Sequence, residues 1–340
     1  SLRKLTNRIV HPEDGLWRGD AAKIATLGAR REALMASNVD ILERIYWLLE
    51  DARRYGTLPF AGLARAGFVA VQMLRSLVSV GVFSQEDYEG FLGGISTVSG
   101  QLALDRATLD RATFLAKYGH LRPGTYDILS LRYDEAPDLY FDWSIRAEEP
   151  EPLKPFALTL PQMREISALL EGHGLQPDVV NLLDFMQSGI ELREWAKFNF
   201  TRNLSDALAL IAELGAQYGI ARDDLAYCDV AVFTEMKVGA GRARDLLMSS
   251  VDQGRSRYED TMRISLPPLI SDPKDVWSFE WPEAAPNFIT QGQVTAKVVS
   301  IGDRERLAGG IICIPNADPG FDWLFSYPIA GLVTAWGGAN

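Results

Sequence analysis

Helical periodicity runs through residue 265 and stops at Pro267-Pro268. Two adjacent prolines remove backbone donors and hold the preceding residue away from the α region, so no helix crosses that point. Beyond it the apolar runs are short and β-like: Val294–Ile301, Gly310–Ile314 and Ile329–Ala335. A turn at Asn316-Ala317-Asp318-Pro319-Gly320 separates the last two. The expected fold class is mainly α, followed by a partial α/β region. Residues 1–265 form the helical part, and 266–340 the linker and strands.

Within the helical part, residues 1–37 carry only a weak pattern. Asn38 is the expected N-cap of a helix over Val39–Arg54, closed by a turn at Gly56–Phe60. A second helix follows over Phe60–Val80, with Gly81 at its end. Ser84 and Asp87 open a third in capping-box style, and a fourth covers Leu102–Tyr118. Residues 119–156 are rich in proline and aromatics, which reads as an ordered irregular stretch; a subdomain split near 145–158 is expected there. Thr159 and Gln162 form another capping box. Pro177–Tyr218 is one long periodic segment in which Gly189 is the expected point of a kink or split, and shorter helices cover Asp223–Lys237 and Arg242–Met262.

Composition excludes several function classes. The 34 basic and 45 acidic side chains give a formal charge of −11, which argues against a protein that coats nucleic acid. Cys228 and Cys313 form no CxxC, and three scattered histidines offer no zinc spacing. A reduced, cytoplasmic setting is expected. No apolar run approaches the ~18 residues of a membrane span. Neither GxxxxGK[ST] nor HExxH nor GxSxG occurs, and Gly239-Ala-Gly241 lacks the third glycine of a dinucleotide loop. The chain starts without Met and stops just after a strand-like run, so it is expected to be a piece of a longer protein.

Three groups of residues carry candidate chemistry. Lys117-Tyr-Gly-His120-Leu-Arg122-Pro-Gly-Thr-Tyr126-Asp127 places imidazole, guanidinium and carboxylate on one tight turn. Histidine exchanges protons near neutral pH, and arginine grips a phosphate or carboxylate with two donors. The alternative is that these groups satisfy each other and the turn. Arg193, Lys197 and Arg202 lie on the long helix as a wall for an anion, or as a solvated charged face. Arg65 and Arg75 sit among apolar neighbours, where they line a cleft or flank the core with a partner.

The stretch Asp318-Pro-Gly-Phe-Asp-Trp323 and Gly331-Leu-Val-Thr-Ala-Trp-Gly337-Gly-Ala-Asn340 resembles the start of the swivelling phosphohistidine domain of PEP-utilising enzymes. That family includes phosphoenolpyruvate synthase, pyruvate phosphate dikinase and rifampin phosphotransferase. Tyr118–Asp127 is similar to its Tyr-Gly-His…Pro-Gly…Asp element, and Arg193-Glu194…Lys197-Phe198 to a helix of the rifampin-type central domain. Leu266-Pro-Pro and Pro286-Asn-Phe-Ile-Thr290 resemble the run-in to the swivelling domain. The resemblance implies a helical region presenting a small-molecule acceptor to a phosphohistidine. It implies ATP and Mg²⁺ for the complete enzyme, no cofactor within this chain, and a catalytic His and nucleotide-binding domain outside it. Arg65, Arg75, His120, Arg122, Asp127, Arg193, Lys197 and Arg202 are then the substrate-binding candidates. The competing expectation is a noncatalytic helical scaffold or regulatory binding module. No membrane or nucleic-acid partner is expected, while unpaired strand edges open a route to oligomers.

Overall fold

The computed structural model describes residues 2–10, 15–143, 156–238, 242–267, 269–280 and 292–336. In chain order the helices are α1 (Leu2–Val10), α2 (Leu16–Ala25), α3 (Leu27–Ala36), α4 (Ile41–Asp51), α5 (Leu58–Ser79), α6 (Gln85–Gly93) and α7 (Val98–Thr108). There follow α8 (Arg111–Tyr118), α9 (Pro137–Tyr140), α10 (Leu160–Gly172), α11 (Val179–Gln217), α12 (Arg222–Leu225), α13 (Ala231–Val238) and α14 (Ala243–Thr261). Three strands close the order: β1 (Val298–Val299), β2 (Ile311–Asn316) and β3 (Gly331–Trp336). The protein is thus mainly α with a small sheet near its C-terminal end. Two compact units are present. The first comprises Ser1–Tyr126, Leu131–Leu208 and Pro319–Ser326; the second comprises Asp127–Ser130, Ala209–Asp318 and Tyr327–Asn340. This division does not fall at residue 265. Residues 144–155, Gly239–Gly241, Pro286–Thr290 and Gly337–Asn340 lie outside the described residues, and with them most of the expected split near 145–158.

The first unit is built around α5 and α11. Their apolar stripes supply Leu63, Ala66, Leu74, Phe185, Met186 and Phe200 to one core. Small residues let the two helices approach closely. A methyl group at Gly67 would stand 3.0 Å from the carbonyl oxygen of Gly189, and one at Gly189 would stand 3.2 Å from the Ala70 methyl. Gly189 therefore serves packing, and α11 runs unbroken through it. The Ser84–Asp87 and Thr159–Gln162 capping boxes form as expected. Gly81, Gly174 and Gly219 take positive φ just beyond their helices, where a side chain would be strained.

The expected turn at Gly56–Phe60 is instead a π-helical joint over Ala52–Thr57, continuous with α4 and α5. Pro59 has no N–H for the preceding turn, and its ring would crowd the carbonyl four residues back. A wider turn just before it relieves both conflicts. Gly56 sits against Phe200, with room for no methyl group: an added Cβ would lie 2.6 Å from the Phe200 Cβ. The merged Ile41–Ser79 helix is, by length and composition, apolar enough to cross a membrane. Its stripe of Leu63, Ala66, Ala70, Leu74 and Leu77 is buried in the core. The cap of α4 is Asp40, whose carboxylate accepts from the Glu43 N–H at 2.7 Å, two residues beyond the expected Asn38.

The expected Leu102–Tyr118 helix breaks in two. Leu109 is extended, and Asp110 caps α8 by accepting from the Ala112 and Thr113 N–H groups. Residues 119–143 are ordered without long elements, around Phe114, Tyr118, Tyr133, Tyr140 and Phe141. The segment Pro319–Ser326 belongs to this unit. Gly320 packs on the backbone of Arg122 and Pro123, its carbonyl accepts from the Tyr133 hydroxyl at 2.9 Å, and Asp322 accepts from Ser99 at 2.6 Å.

In the second unit, α13 and α14 pack through Val232, Phe233, Leu247 and Val251. The sheet is parallel with order β1-β2-β3. Its register sets Val299 beside Ile312 and Ile312 beside Leu332, so these share one face with Ile314. Ile312 and Ile314 are buried. The opposite face presents Val298, Cys313 and Val333, all exposed.

Candidate functional site

The described residues around His120 are held by three elements. Helix α8 delivers Lys117 and Tyr118 onto Asp105 of α7, which also accepts from Gln101. Burial works to raise the Asp105 carboxyl. Hydrogen bonds from Lys117, Gln101 and Tyr118 outweigh it and hold the group below the usual carboxylate range. The same arrangement drives the Tyr118 phenol upward, chiefly through burial. After Gly119 the chain pairs with the 133–134 segment: the Leu121 carbonyl accepts from the Tyr133 N–H at 2.9 Å, and Gly119 from Asp134 at 3.1 Å.

That pairing turns His120 and Arg122 toward α11. The Ser205 hydroxyl donates to the His120 carbonyl at 2.6 Å. Arg122 Nη2 donates to the Ser205 carbonyl at 3.3 Å and to its Oγ at 3.2 Å. The imidazole stands edge-on to Phe198, with ring centres 4.7 Å apart. Its Nε2 lies 3.3 Å from the Phe198 carbonyl oxygen. A carbonyl only accepts, so Nε2 carries the proton. Nδ1 is buried with no hydrogen-bond partner among the described residues. Burial, then the charges of Arg202, Arg132 and Arg31, hold the His120 pKa well below its ordinary value. His120 is a neutral core histidine with 2% of its surface exposed, and Arg122 is equally buried.

One helical turn beyond Phe198, Arg202 reaches the carbonyl of Ala116. Arg31 of α3 and Arg132 converge on Asp206 of α11, at 3.1 and 2.7 Å. Arg132 also holds Asp134 with two parallel bonds, at 2.8 and 2.6 Å. Three guanidiniums thus face two carboxylates. The excess shows on Arg202, whose pKa is lowered by burial and then by Arg31. Arg31, Arg132 and Asp206 carry no mark in the sequence. They are far apart along it, and each lies in a segment without a motif.

The remaining candidates disperse. Arg193 stacks on Phe68, its guanidinium carbon 5.0 Å from the ring centre, and lies 4.0 Å from Glu194. Lys197 is half-buried one turn on. Arg193 and Arg202 are about 2.5 turns apart, so they project from opposite sides of α11. Arg65 is exposed on α5, and its charge acts on Asp20. Arg75 is exposed and lines a surface depression of ≈ 330 Å³ with Val78, Ser79, Gln85 and Tyr88. Asp127 belongs to the second unit, where its exposed carboxylate accepts from the Leu129 N–H at 2.9 Å. The seven candidates of the first unit are thus spread over α5, α11 and the 120–122 segment, and of these only Arg202 joins a cluster with surplus positive charge. Among the described residues no group of three or more His, Cys, Asp or Glu is placed to hold a metal ion. In comparisons with known proteins, no family model matches the chain and no curated protein matches it.

Proposed function

We propose that this chain is the acceptor-presenting helical region and the opening of the swivelling domain of a PEP-utilising phosphotransferase. The observation that carries the reading is the order of architecture. A large helical unit is followed by parallel strands at Val298–Val299, Ile311–Asn316 and Gly331–Trp336, at the segments whose residues resemble the family's phosphohistidine domain. Such an enzyme splits one transfer into two, with a histidine as covalent carrier. The helical region then supplies alignment and positive charge, because phosphoryl transfer depends chiefly on both. On this reading, which follows the family resemblance, ATP and Mg²⁺ are used by another domain of that enzyme.

The test is the source gene and its product. Codons for Ser-His directly after Asn340, with an ATP-binding domain upstream, are the expected result. The full-length product should then take acid-labile label on that histidine from labelled ATP with Mg²⁺. A reading frame without those parts, or a complete protein that takes no label, overturns the proposal. A second reading has one observation in its favour. His120 and Arg122 are wholly buried and bonded to α11, as in a helical scaffold or regulatory module that keeps the fold without the chemistry.

A further inference from the structure

We propose that Arg31, Arg132 and Arg202 form a binding site for a phosphoryl-type oxyanion at the surface of the first unit, above Asp206. This deepens the acceptor role and rests on that reading only for the identity of the natural ligand.

The argument is a count of donors. A guanidinium offers five N–H groups in a fixed plane. Arg31 directs one to Asp206 and Arg202 one to the Ala116 carbonyl, and neither has a further hydrogen-bond partner among the described residues. Arg132 is fixed by Asp134 and Asp206. Its bonds to the two carboxylates hold it in place beside Arg31 and Arg202. The carboxylates are themselves committed: both Asp206 oxygens are taken by Arg31 and Arg132, and both Asp134 oxygens by Arg132. Among the described residues Arg202 thus stands half-buried beside two other cations with no ion pair of its own, although the charges of Asp206 and Asp134 also act on it. Like charges in a partly desolvated place repel, and an anion that bridges them removes the repulsion. The side chains of Arg31 and Asp134 keep 18% and 38% of their surface exposed, so a small ion reaches the cluster from solvent. A tetrahedral oxyanion has enough oxygens to engage two planar forks at once, which a single carboxylate does not.

The experiment uses inorganic phosphate on the whole chain, with sodium chloride at matched ionic strength as the reference and sodium acetate as the carboxylate arm. Phosphate should raise the melting temperature above the chloride reference. Arg202→Met should lose that shift, and Arg164→Gln, an exposed arginine on α10, should keep it. Side-chain Nε–H resonances in the unmodified protein provide a readout that needs no variant. Those of Arg31, Arg132 and Arg202 should move with phosphate. Unmoved signals from these three, or a full shift retained in folded Arg202→Met, overturns the site. Equal effects of acetate overturn the phosphoryl class. Phosphate binding at the cluster in a full-length protein that forms no phosphohistidine would sink the phosphotransferase reading and leave the site standing.

Discussion

His120 is the residue whose environment most changes its chemistry. Its ring is sealed against Phe198, and three arginines act on it. Adding a proton would put a buried cation next to others. In the unfolded chain His120 regains an ordinary pKa near 6.5. The unfolded state therefore binds a proton below that pH while the native state does not, and stability falls as pH drops. The slope from this one group is at most about 1.4 kcal/mol per pH unit. Urea unfolding at pH 7.5, 6.5 and 5.5 should show the loss in the native sequence. His120→Phe, which keeps a ring on Phe198, should be less stable at pH 7.5 but lose less on acidification. Equal acid dependence in both would mean that His120 is charged in the fold. Gly320 makes a second residue-scale case. Any Cβ there would overlap the Arg122 carbonyl and the Pro123 nitrogen, so the 319–326 segment must lift. Gly320→Ala should cost about 2 kcal/mol or more in urea unfolding, with Ser99 losing its bond to Asp322 and Tyr133 its bond to Gly320. A change within about 0.5 kcal/mol would show the segment to be loosely held.

At the scale of elements, the sequence displayed what periodicity and caps can display. Helices α5 and α11 were legible from their apolar stripes, and α6 and α10 from the capping boxes at their starts. The first three helices were not. In α3 only Leu27 is fully buried, and in α2 only Trp17 and Ile24. Helix α3 is also tied to the fold by long-range ion pairs, Arg30 to Asp51 and Arg31 to Asp206, which no local pattern announces. The same absence hid two of the three arginines of the anion cluster. The π-helical joint was missed because Gly-Thr-Leu-Pro reads locally as a turn, whereas Phe200 packing on Gly56 keeps the helix going. Gly189 separates propensity from packing by a measurable margin. Gly189→Ala gains about 1 kcal/mol of helix propensity and spends a similar amount on the 3.2 Å approach to Ala70. Its stability should therefore change little. Gly189→Leu drives α5 and α11 apart and should lose about 3 kcal/mol or more. If Gly189→Leu unfolds at the native urea midpoint, the close crossing does not exist in solution.

For the whole molecule, the consequential feature is a parallel sheet covered on one face. Parallel sheets are ordinarily buried on both. Here Ile312 and Ile314 are covered, while Val298 is 70% and Val333 52% exposed. Among the described residues strand β3 is an edge, with no charge or proline to discourage pairing. The net charge of −11 opposes self-association, and salt relaxes that opposition. The two cysteines report directly on whether the face is open in solution. Cys313 lies on it beside Val333 and is exposed. Cys228 is partly buried, and burial pushes its thiol up, against a weaker opposing effect of its hydrogen bond to Ser250. The thiolate is the reacting species, so Cys228 is slowed by both access and charge state. A disulfide-forming reagent at pH 8 should give two phases, with the Cys313 phase at least tenfold faster and independent of protein concentration. Protection of Cys313 that deepens with protein concentration and with salt would mean that a second copy covers the sheet. Protection independent of both would mean that the chain covers it itself, and the one-faced sheet would have to be abandoned.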